Sequence, residues 1–218
     1  MIDAGDFCDW LESFIQTMKG TGGGSVPCGD CVACCTSSKF ILIRPTDIEA
    51  LQSIPREIMF PAPGLSKGYF LLGYDENGYC PMFKNGKCSI YDIRPETCRQ
   101  YDCRVLAAAG ASIDNESSSI AKRITMWSFS YTKFESKELS KAVKLAMVFL
   151  KKNVHLFPPG FLPESEPQIA AMAIRVHGEF IGHSKESIGP ARSTIVTTIL
   201  SKYCTLWGVK IGMENKSL

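Results

Sequence analysis

The sequence predicts a mainly α protein with small β hairpins, in which an irregular Cys-rich core carries helical extensions at its N- and C-terminal ends. Three observations predict it. Eight of the ten cysteines fall between residues 28 and 103. On either side of that stretch, apolar residues recur at three- and four-residue spacing, the period of a helix with one buried face. Inside it, Pro63-Gly64, Asn77-Gly78 and Asn85-Gly86 break the chain at short intervals. The 218 residues are 45% hydrophobic and 21% charged, a globular composition that excludes a disordered, collagen-like or coiled-coil chain. A net charge of +2 argues against a nucleic-acid binder that relies on a basic field.

The chain divides on this reading into residues 1–25, 26–105 and 106–218. Phe7, Trp10, Leu11, Phe14, Ile15 and Met18 form the stripe of an amphipathic helix that ends at Gly20. Gly22, Gly23 and Gly24 follow as a loop or hinge. They lack the Gly-Lys-Ser/Thr ending of a phosphate loop. Phe40 to Ile43 reads as a short buried strand. Thr46 and Glu49 read as a capping box for a helix that Pro55 ends. Pro61, Pro63 and Gly64 mark a loop. Phe70–Leu72 and Tyr79–Phe83 read as two strands flanking Asn77-Gly78. Asn85-Gly86 favours a hairpin that would bring Cys80 and Cys88 to one end of the structure. Pro95 opens a short helix through Tyr101.

From Leu106 the helical period takes over. Thr132 and Glu135 read as a second capping box. Leu139, Val143, Ala146, Met147 and Leu150 form the inner face of a helix that stops before Pro158-Pro159. Ile169, Ala173, Ile174 and Val176 suggest another helix, and Thr194–Leu200 suits helix or strand. Residues 1–20 carry Asp3, Asp6, Asp9 and Glu12 in place of the basic start of a secretory signal. No apolar run reaches the ~18 residues of a membrane span. The expectation is a cytoplasmic protein without a membrane partner, in which clustered thiols serve metal binding or redox chemistry rather than structural disulfides.

The cysteines fall in two groups. The first is Cys28-Gly-Asp-Cys31-Val-Ala-Cys34-Cys35; the second comprises Cys80, Cys88, Cys98 and Cys103. Cys-x-x-Cys turns two thiolates toward one ion, and Gly29 allows the tight backbone this needs. Three cysteines at two-residue gaps also suit a four-iron, four-sulfur cluster whose fourth ligand comes from elsewhere. Eight thiolates equally fill two four-Cys zinc sites. The cofactor is therefore zinc or iron, an iron–sulfur cluster included. Lys84, Lys87, Arg94, Arg99 and Arg104 flank the second group, where they would offset thiolate charge. Cys8 and Cys204 are isolated in apolar helical contexts and read as packing residues.

These motifs resemble the YkgJ-type cysteine-cluster family, a CxxCxxCC domain described by zinc or iron chelation. The resemblance rests on the CxxCxxCC start, on Ile41-Leu-Ile-Arg-Pro-x-Asp47, and on Cys88-Ser-Ile-Tyr91-Asp-Ile-Arg94-Pro95-Glu-Thr-Cys98-Arg99-Gln-Tyr101-Asp-Cys103. It covers roughly residues 26–105 and fills all eight cluster positions. The continuations from Arg104 to Gly110 and from Arg123 to Tyr131 are similar to longer bacterial members. A more distant similarity links such clusters to flagellin lysine N-methylases, which carry an iron–sulfur cluster; no methyl-donor site accompanies it here. The resemblance implies metal chelation through Cys28, Cys31, Cys34, Cys35, Cys80, Cys88, Cys98 and Cys103.

Other candidates favour structural roles. His155, His177 and His183 accompany no nucleophile and read as surface or helix-end residues. Lys137, Lys141 and Lys144 share a solvated helical face. Trp127, Phe129 and Tyr131 read as core packing of a short strand. Asp92 and Glu96 pair with the nearby arginines. No catalytic motif is found. Three classes of function remain: a metal-binding module, an iron–sulfur redox protein or protein-modifying enzyme, and a metal-free thiol sensor. The partner is a metal ion; a protein partner is left open.

Overall fold

A computed structural model describes residues 1–21, 26–111 and 119–203. It is about half helical with small sheets. The chain forms two compact units. The first comprises Met1–Ala4, Glu12–Cys103 and Ile113–Ser128; the second comprises Gly5–Leu11, Arg104–Ser112 and Phe129–Leu218.

Strand β1 (Ile2–Asp6), which the residue pattern does not announce, leads directly into helix α1 (Phe7–Met18). The expected apolar stripe is present: Phe7, Trp10 and Leu11 are buried. The glycines at 22–24 lie outside the described residues. A 3-10 turn at Ala33–Thr36 precedes β2 (Ile41–Ile43). Phe40, expected in that strand and buried, is instead 56% exposed and packs its ring on Phe60 and Tyr74. Helix α2 (Ile48–Ser53) follows Asp47 at the N-cap position, and the expected Thr46–Glu49 box does not form; no side chain caps the helix there. Strands β3 (Met59–Pro61) and β4 (Phe70–Leu72) complete an antiparallel sheet of order β2-β4-β3. Pro61 was expected in a loop, but β3 is an edge strand, where the missing N–H is tolerated.

Tyr79–Phe83 does not form a strand paired to β4. Its backbone is engaged elsewhere, with Asp75 N donating to Tyr79 O and Cys80 N to Cys35 O, and Pro81 has no N–H to contribute. The short strand begins only at Phe83. Strands β5 (Phe83–Lys84) and β6 (Lys87–Cys88) form the expected hairpin over Asn85-Gly86, with Phe83 opposite Cys88. Both turn residues have positive φ, 53° and 76°, the backbone that a two-residue type I′ turn requires. Helix α3 (Glu96–Gln100) follows Pro95. Ile43, Ile54, Leu72, Met82 and Ile90 form the hydrophobic cluster beneath these elements.

Helix α4 (Arg104–Ala109) belongs to the second unit, and α5 (Ser119–Met126) to the first. Strand β7 (Trp127–Ser130) pairs with β1 in a two-stranded sheet, as the alternation of Trp127 and Phe129 with serines suggests. Helix α6 (Ser136–Lys152) buries Val143, Ala146, Met147 and Leu150 as expected, and packs with α4 and α7 (Glu166–Val176). Helix α8 (Ile188–Tyr203) settles the ambiguous Thr194–Leu200 segment as helix; it buries Ile195, Val196 and Ile199. Lys137, Lys141 and Lys144 are exposed. Among the described residues, no helix is long and apolar enough to cross a membrane.

The expected Thr132–Glu135 capping box does not form. The Thr132 hydroxyl and backbone N–H donate instead to Asp6, at 2.8 and 2.7 Å. Ser136 donates to the same carboxylate at 2.7 Å, and Cys8 N at 2.9 Å. Asp6 thus closes the first turn of α1 and holds the approach to α6. Desolvation pushes its carboxyl up, but the bonds from Ser136, Thr132 and Cys8 outweigh this and hold it well below the usual carboxylate range. A depressed folded-state pKa stabilises above the unfolded value of about 4, and that contribution is lost as pH falls below it. Asp6→Asn is therefore expected to flatten the acid side of the stability curve. Melting temperatures measured between about pH 6 and 3 check this; parallel curves for the two proteins would contradict it.

Candidate metal centre

Each cysteine is placed by local backbone chemistry. Cys28 and Cys31 share a tight turn: Cys31 N donates to Cys28 O at 2.9 Å, and Gly29 sits at φ +53°, where a side chain would be strained. Cys34 and Cys35 lie on the 3-10 turn, which Thr36 and Ser37 fasten by bonding back to Val32 O and Ala33 O. Cys80 is held against that turn by its 2.8 Å bond to Cys35 O. Cys88 lies on β6 of the hairpin. Cys98 stands on α3, and Cys103 directly precedes α4.

Helix α3 is fixed by groups far away in sequence. The buried Asp47 carboxylate accepts from Arg44 N at 2.9 Å and from Glu96 N at 2.8 Å, the latter at the start of α3. Thr97 Oγ1 donates to Leu42 O at 2.7 Å. Arg44 and Glu96 form an ion pair of 2.5 Å; the partner of Glu96 is thus a sequence-distant arginine and not one of those beside it in the chain. The Ile41–Asp47 and Arg94–Cys103 motifs are thus two halves of one anchor.

All eight cluster cysteines line a single cavity of about 330 Å³ within the first unit. Lys39, Lys87, Arg94, Arg99 and Arg123 also reach it. Lys84 and Arg104, expected to flank the cluster, do not line it; Arg104 is buried in the second unit. Cys80 is buried, Cys34 is exposed, and the other six are partly buried; the nine described cysteines are free thiols. Cys8 belongs to the second unit and does not line the cavity. Cys204 lies outside the described residues. His155, His177 and His183 do not line it either; His177 Nδ1 lies 2.6 Å from Ile174 O.

The thiols repel one another's ionised forms. Burial, then the neighbouring charges, pushes Cys98 up to about 12, and burial pushes Cys103 up to about 11 against a lowering bond from Trp127. Burial also raises Cys28 and Cys80. The Cys34–Cys35 sulfur hydrogen bond lowers Cys34 and raises Cys35. Among the described residues, no three His, Cys, Asp or Glu side chains stand close enough together to hold one ion. The donor set nonetheless fits such a group chemically. Eight soft thiols share one cavity, with basic side chains placed to offset thiolate charge, and this is the ligand chemistry of zinc and of iron–sulfur centres.

Two residues that the cysteine spacing does not reveal complete the site. Trp127 Nε1 donates to Cys103 Sγ at 3.2 Å. The Arg123 guanidinium lies 4.6 Å from the Trp127 ring centroid and donates to Cys28 O at 3.1 Å. Arg123 Nε is buried with no hydrogen-bond partner among the described residues. The sequence signal for the pair is their four-residue spacing, one helical turn, on a segment twenty residues past the last cluster cysteine.

No curated protein and no solved structure matches the chain. A family model does, that of the CxxCxxCC family, described as "Putative zinc- or iron-chelating domain", over residues 27–141. That span contains all eight cluster cysteines together with Arg123 and Trp127, and covers more than half of the sequence. The chain therefore belongs to the CxxCxxCC family, whose described chemistry is zinc or iron chelation.

Proposed function

We propose that the protein binds zinc or iron through the thiolates of Cys28, Cys31, Cys34, Cys35, Cys80, Cys88, Cys98 and Cys103, and that the bound metal organises the Cys-rich unit for metal handling or interaction. The observation that carries this reading is the convergence on one cavity of eight thiols drawn from three separated stretches of chain. The role of the protein's own residues is to present soft donors, to shield most of them partly from bulk water, and to place cations beside them. The metal would supply the attraction that draws mutually repelling thiolates together.

The run Cys28-x-x-Cys31-x-x-Cys34 and the indole N–H on Cys103 sulfur favour a second reading, an iron–sulfur centre in redox chemistry or protein modification. Metal analysis and a visible spectrum of anaerobically purified protein separate the two. A colourless zinc-loaded protein supports the first; a brown, air-sensitive one supports the second. A metal-free protein with titratable thiols, indifferent to chelator, would overturn both in favour of a thiol sensor.

A further inference from the structure

The eight cysteines divide into two sets by what each is tied to. Cys35, Cys80 and Cys88 all belong to or pack on the hydrophobic cluster of Ile43, Leu72, Met82 and Ile90. Backbone bonds link them: Cys80 N donates to Cys35 O at 2.8 Å, Phe83 N donates to Cys80 O at 2.8 Å, and Cys88 pairs with Phe83. Cys98 joins them through α3, which the Thr97 hydroxyl fastens to β2 beside Ile43.

Cys28, Cys31 and Cys103 are not among the residues packed on that cluster. They are joined by a different framework. Cys28 and Cys31 share one turn, Arg123 donates to Cys28 O and stacks on Trp127, and Trp127 donates to Cys103 Sγ. Cys34 stands between the sets. Adjacent side chains on a 3-10 turn point roughly 120° apart. Cys35 accordingly packs on the cluster while Cys34 is exposed.

We propose that the cavity holds two metal centres, a four-thiolate one made by Cys35, Cys80, Cys88 and Cys98, and a second made by Cys28, Cys31 and Cys103 that Cys34 completes. This rests on the metal-binding reading above. Each set would take one thiophilic divalent ion, and each four-thiolate complex of a dication would carry a net charge of −2. Arg123 and Trp127 are positioning residues of the second centre alone, so the two centres differ in how their sulfurs are hydrogen-bonded.

Cobalt(II) titration of metal-free, full-length protein without oxygen tests this, read by the thiolate-to-cobalt charge-transfer band. The wild type is expected to saturate at two equivalents. Cys80→Ser/Cys88→Ser and Cys28→Ser/Cys103→Ser are each expected to retain one. Trp127→Phe removes no ligand, and is expected to weaken one of the two equivalents by about 10-fold while leaving the other unchanged. Saturation of the wild type at one equivalent, or equal weakening of both by Trp127→Phe, would overturn the two-centre assignment while leaving metal binding intact. No cobalt binding at all would overturn the metal-binding reading itself.

Discussion

Stripping the bound metal with a chelator is expected to open the Cys-rich unit to protease while the α6–α7 core stays protected. The reason lies in how little else holds that unit together. Its sheets are built from strands of two or three residues. Its hydrophobic cluster contains eight buried residues, one of them Cys80 itself. Such short pairings are marginal in water without additional support. Thiolate ligation of zinc supplies about 10–16 kcal/mol in small domains, comparable with the whole stability of a typical fold. The second unit has no such need: Val143, Ala146, Leu150, Met172, Ile174 and Val176 are all completely buried. Limited proteolysis with mass mapping checks the expectation. New cleavage between residues 39 and 103 on metal removal supports it; an unchanged pattern means that the metal contributes little to folding.

The second large effect is expected from Asp47→Ala. The Asp47 side chain is 2% exposed, with Arg99 Nη2 at 3.6 Å, and it accepts the backbone N–H groups of Arg44 and Glu96. Truncation leaves two donors and a guanidinium without their acceptor, at a cost of about 2–5 kcal/mol. It also releases the start of α3 and with it Cys98. Urea denaturation of the metal-loaded protein is expected to show that loss, together with weaker metal retention. Asp47→Asn keeps one acceptor oxygen and is expected to lose roughly half as much. If both variants match the wild type, Asp47 does not anchor α3.

Where a local signal decides the structure, the sequence shows it. The stripe Phe7–Met18 predicts α1, Asn85-Gly86 predicts the hairpin, and the Leu139–Leu150 period predicts α6. The failures share one cause, tertiary partners that a local pattern does not contain. Thr46 is no cap because Asp47 takes the N-cap position, and the Asp47 carboxylate is itself spent on Arg44 and on the start of α3. Thr132 loses its cap because Asp6 claims it. Tyr79–Phe83 is no strand because Cys35 and Asp75 take up its backbone groups. In the site, all eight cysteines are legible from spacing and do converge on one cavity. Asp47, Arg123 and Trp127 are not, because their meaning depends on residues 24 to 95 positions away.

That long reach has a consequence for how the protein is made. Cys28 and the helix carrying its Arg123 clamp are 95 residues apart, so at about 5–20 residues per second the first thiols emerge from the ribosome on the order of 5–20 s before their support exists. During that interval the nascent cysteines are accessible to oxidants and to whichever thiophilic ion is most abundant. Of the two thiol sets, the one resting on Cys35, Cys80, Cys88 and Cys98 has all its donors and its hydrophobic seat once residue 98 has been translated. The other must wait for Trp127. The order of synthesis thus favours filling the two sets in sequence, the hairpin-bound one first.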